Sequence, residues 1–134
     1  MKTKLNFTQI IKAGLLAAIT AAIINALLFF IFQAVGVFTD EIEIQPGQAL
    51  SVLPVLISSI MPSIVGALVF FLIEKFSQNG YKIFGIVSIV LLILSFLNPF
   101  LMIPNVTVMY GIILNIMHVV VAGALLYFIK KAYK

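Results

Sequence analysis

Four stretches of the sequence, at about residues 13–37, 49–73, 83–98 and 107–129, are apolar nearly from end to end, and the third is the shortest. A helix needs about 20 such residues to cross a hydrocarbon core. In lipid every backbone N–H and C=O must find its partner within the protein, so a run of this kind has to be helical. The chain therefore reads as all-α: an integral membrane four-helix bundle, up-and-down, forming one domain over residues 1–134. Only 9% of its residues are charged, against about a quarter in a soluble domain, and 63% are hydrophobic, so the surface is made for lipid rather than water.

The basic residues orient the spans. Lys2, Lys4 and Lys12 lie at or before the start of the first run, Lys75 and Lys82 between the second and third, and Lys130, Lys131 and Lys134 after the fourth. Basic residues flanking spans are retained on the cytoplasmic side, and four spans place all eight lysines on one side only if both termini are cytoplasmic. Asp40, Glu41 and Glu43 fall on the other side. The net charge of +4 thus reflects membrane topology rather than a nucleic-acid partner, because no basic face joins the lysines. MKTKLNFTQIIK resembles the basic start of a secretory signal, but the apolar run behind it is about twice too long for one, and no clear small-x-small cleavage site follows. The absence of cysteine excludes disulfides and thiol redox chemistry.

The connections are short. TDEIEIQPGQ contains a Pro-Gly turn and an alternating EIEI stretch long enough for a brief extended segment; EKFSQNGYK turns at Asn79-Gly80; NPFLMIPN is expected to break the helix at Pro99 and Pro104. Pro54 and Pro62, inside the second run, are expected to bend it. Tyr81, Tyr110, Tyr127 and Tyr133 near span ends are expected to be interfacial anchors.

Lipid tails are as apolar as leucine, so helices meet through close packing and hydrogen bonds, and small or polar residues mark the inward faces. In the fourth span Thr107, Gly111, Asn115, His118 and Ala122 form one stripe at helical spacing. Gly14, Ala18 and Asn25 do so in the first, Ser58, Ser59, Ser63 and Gly66 in the second, and Gly85, Ser88 and Ser95 in the third. Gly14, Gly66, Gly85, Gly111 and Ala122 are the expected helix-packing positions. Asn25, Ser58, Ser59, Ser88, Ser95, Asn115 and His118 are the expected polar seam. Asn25 and His118 fall near mid-membrane, where a polar side chain is costly unless it faces the bundle and finds a partner. The expected pair is Asn25 with Asn115 or His118.

No carboxylate lies within the runs, as a proton-coupled exporter would require, and a haem would have a single histidine to bind it. Asp40, Glu41 and Glu43 are read as solvated charge rather than a cation site. No catalytic residue, metal site or cofactor is assigned, and whether the chain is an enzyme stays open, with a non-enzymatic role favoured.

The segment NIMHVVVAGALL, with Met117-His118 before Val121-Ala122, resembles the last span of a family of small four-span bacterial integral membrane proteins of unknown function. The resemblance implies a bacterial inner membrane and no activity. The expected function is that of an accessory or assembly component working through helix contacts, with itself as a homo-oligomer or within a larger membrane complex. The alternative is a small-molecule or ion carrier or pore along the seam around His118, and a third reading is an enzyme or haem carrier whose cofactor touches that histidine.

Overall fold

The computed structural model describes residues 3–134; Lys2 lies outside them. Five helices follow in order: α1 (Phe7–Ala34), α2 (Val52–Phe76), α3 (Gly80–Ser95), the one-turn α4 (Asn98–Met102) and α5 (Val108–Ala132). With α4 continuing α3, Phe7–Ala34, Val52–Phe76, Gly80–Met102 and Val108–Ala132 are four helices long and apolar enough to cross a membrane. The chain is an all-α four-helix bundle.

α1 begins six residues before the expected start. Asn6 caps it: its side chain accepts the Gln9 N–H at 2.8 Å while Gln9 Oε1 accepts the Asn6 N–H at 3.0 Å. That reciprocal pair is a capping box, and it satisfies two backbone donors that would otherwise have no partner. The first-turn position of Pro54 removes no intrahelical bond, since the first four N–H groups of a helix have none to lose; only Pro62 stands inside α2. Pro99 likewise opens the short α4 instead of ending the span. The interruption falls just before it, where Phe96 and Leu97 donate to the carbonyls three residues back, Ile93 and Leu94, and tighten the last turn of α3.

α1 packs most extensively on α2 and α5, and α3 leans on α2 and α5 from the other side. Two apolar clusters fill the interior. At the lysine-rich end Leu5, Ile10, Phe70, Phe84, Leu125 and Ile129 come together. At the acidic end Phe29, Phe38, Val55, Tyr110, Ile113 and Met117 do so. Phe38 reaches the second cluster from the α1–α2 connection, stacking on Phe29 at 5.7 Å and meeting the Tyr110 ring edge-on at 4.8 Å. Beyond it the chain forms a small antiparallel hairpin, β1 (Glu43–Gln45) and β2 (Gln48–Ala49), which turns at Gly47 with φ 76°. Tyr110 is accordingly a fully buried core residue and not an interfacial anchor: the folded-back connection covers it.

Candidate functional site

The inward faces of α1 and α2 meet because both carry small residues. A Cβ on Gly14 would stand 2.6 Å from Ala67 Cβ, so the two backbones approach as only a glycine permits. Along the same face Ala17, Ala18 and Ala21 are buried against α2 and α5, and the stripe ends at Asn25, which is 2% exposed.

The Asn25 amide Nδ2 donates to Ser59 Oγ at 2.9 Å and to the Met117 carbonyl at 3.2 Å. Ser59 in turn donates its hydroxyl to the Val55 carbonyl at 2.8 Å, and Ser63 donates to the Ser59 carbonyl at 2.8 Å. One side chain of α1 therefore ties α2 and α5 together. Because α1 starts early, Asn25 lies about 7 Å past the helix midpoint toward the acidic end. Ser59 is displaced by a similar amount in α2.

The expected partners are different ones. Asn115 and His118 do not bind Asn25, because α5 is turned so that Met117, about 100° around the helix from His118 and about 160° from Asn115, faces α1. Asn115 instead donates Nδ2 to the Phe96 carbonyl at 3.0 Å, reaching across to the interruption between α3 and α4. A backbone acceptor near a helix break is satisfied there by a neighbouring helix. His118 is half-buried, and its Nδ1 is buried without a protein partner, as are Asn115 Oδ1, Asn25 Oδ1 and the Tyr110 hydroxyl.

The polar residues thus form two separate nodes, Asn25 with Ser59 and Asn115 with Phe96. Ser58 is exposed and donates to the Val55 carbonyl of its own helix; Ser95 does the same to Leu92; Ser88 is half-buried. Among the glycines, Gly66 sits against Leu125, and Gly111 against the Phe100 ring. Gly85 has nothing within 4 Å of where a Cβ would stand, and Ala122 is half-buried.

A further polar cluster closes the lysine-rich end. Glu74, 4% exposed in the last turn of α2, accepts the Leu5 N–H at 3.2 Å, and Gly80 packs directly on its carboxylate. Lys4 Nζ donates to the Lys75 carbonyl at 3.1 Å, so the segment before α1 is fastened across the end of α2. Tyr133 lies beside Glu74: burial, and then the carboxylate, raise its phenol above the usual tyrosine range. The signal for this cluster was an acid next to Lys75 at a span end, which reads equally well as a solvated flank. At the opposite end Glu43 accepts the Gly47 N–H at 2.9 Å and serves its own hairpin.

Residues 6–134 match a family described as a family of unknown function (DUF6069). No curated protein and no solved structure matches the chain.

Proposed function

The chain belongs to the family of unknown function DUF6069, and from that premise we propose that this multi-pass membrane protein is an accessory or assembly component acting through helix–helix contacts. The observation that carries the reading is the contrast between a closed interior and an open flank. Asn25, Ser59 and Ser63 are buried between α1, α2 and α5, and the Nδ2 of the amide that could have lined a path donates to both neighbours. α3 buries only Gly80 and Phe84, leaving Ile86, Ile89, Leu91 and Ile93 facing outward. Helices in lipid associate through such available faces by packing. The placement of the described lysines at one end supports insertion with both termini cytoplasmic; the resemblance of the Met117-His118 segment supports a bacterial inner membrane.

A carrier is the second reading, favoured by one observation: Asn115 Oδ1 and His118 Nδ1, about one turn apart on α5, are both buried acceptors or donors without a protein partner. The sequence contains no cysteine, so single-cysteine variants separate the two readings directly. Under the contact reading, cysteine at Leu91 cross-links to a second polypeptide in native membranes and cysteine at His118 resists a water-soluble thiol reagent. Labelling at His118 with no cross-link from α3 would replace the contact reading by the carrier one.

A further inference from the structure

We propose that the groove between the start of α1 and the end of α5 is a binding site for one anionic phospholipid. The groove encloses about 290 Å³. Gln9, Lys12, Ala13 and Leu16 line it from α1, at the spacing of one helical face; Phe128, Lys131 and Ala132 line it from α5, again at one face.

The vertical order of these side chains matches a phospholipid. Ala132, Lys131 and the Gln9 amide stand nearest the helix ends, and Lys12, about 4.5 Å further in than Gln9 along α1, carries a stem that leans toward the helix N-terminus and so back toward that end. Leu16 lies about 6 Å deeper than Lys12 along α1, and Phe128 about 4.5 Å deeper than Lys131 along α5, at 1.5 Å per residue. A phosphate at the level of the two ammonium groups would place its acyl chain over Leu16 and Phe128. The charge is complementary as well. No acidic side chain lines the groove, and Glu74, the acid of α2 at this end, is buried and bonded to the Leu5 N–H. Lys12 and Lys131 are exposed, and the Lys131 ammonium stands 6.0 Å from the centroid of the Tyr127 ring. Basic pockets between spans are where anionic head groups settle.

The test reconstitutes the full chain in phosphatidylcholine vesicles holding a trace of spin-labelled phosphatidylglycerol or spin-labelled phosphatidylcholine, and compares the motionally restricted fraction of each. The anionic label is expected to be preferred. K12Q/K131Q is expected to reduce the preference by about fivefold per lysine removed, and A132F, which fills the groove and keeps both lysines, is expected to reduce it too. The control K130Q/K134Q removes equal charge at the same end and is expected to keep most of it. Equal restriction of the two labels in the wild-type protein overturns the site. So does an equal loss in the control, which would mean diffuse attraction, or full preference in A132F. Displacement by millimolar inorganic phosphate would identify a free-anion site and overturn the lipid assignment.

Discussion

Asn25 donates its side-chain amide to the hydroxyl of Ser59 at 2.9 Å, joining α1 to α2 inside the bundle. A hydrogen bond of this kind between spans is worth about 0.6 kcal/mol on average and rarely above about 1.7, because the separated helices find other partners in the membrane. Its larger effect is to select a rotation: only one face of α1 can be turned inward if the amide is to reach both Ser59 and the Met117 carbonyl.

A double-mutant cycle measures that bond. N25A and S59A are each expected to destabilise the bundle toward denaturing detergent by about 1 kcal/mol, with a coupling energy near 0.6 kcal/mol. N25A should cost more than S59A, since it also leaves the Met117 carbonyl without its amide. A coupling of zero would mean that the two side chains contribute independently.

Part of this arrangement was legible in the residues and part was not. A polar side chain deep in a span must face the protein, and that argument alone placed Asn25 inside. Its partner depended on the rotation of α5, and a turn of about 100° per residue separates Met117 from His118, a difference that side-chain polarity could not signal because the acceptor is a backbone carbonyl. Asn6 and Gln9 carried a readable start signal for α1, three residues apart, outside the apolar run used to find the span. Tyr110 was misplaced for a different reason: its burial is made by Phe38, whose connection folds back over the helix ends, and no local pattern encodes such a contact.

The glycines should separate into two classes. G14L forces a side chain into Ala67 at the closest α1–α2 approach, and overpacking of this kind costs about 1–3 kcal/mol or more. G85A meets nothing within 4 Å and replaces a residue of poor helix propensity, so it should be neutral or slightly stabilising. Unfolding in graded detergent mixtures checks both. A destabilising G85A would place an unrecognised neighbour on that face of α3.

Asn115 should hold the joint between α3 and α4. In N115A the Phe96 carbonyl loses the donor at 3.0 Å, and amide hydrogen exchange is expected to quicken at Leu97 and Leu101 while the amides of α1 keep their protection. Uniform acceleration across all helices would indicate general destabilisation and no local role for the bond.

The lysine-rich end should respond to alkaline conditions through Tyr133. Burial and the neighbouring Glu74 raise its phenol in the folded state, whereas an unfolded tyrosine ionises near 10. The folded protein therefore holds a proton that the unfolded chain gives up first. By linkage, stability from this group is complete below about pH 10 and is lost as pH rises further, since the unfolded state then binds fewer protons. Thermal unfolding of wild type in detergent is expected to show a falling midpoint above that pH, with a steeper slope than Y133F, which cannot ionise there. Every other group is the same in both proteins, so the difference between the two curves isolates the phenol. Parallel curves would mean that Tyr133 leaves its place beside Glu74 before it loses its proton.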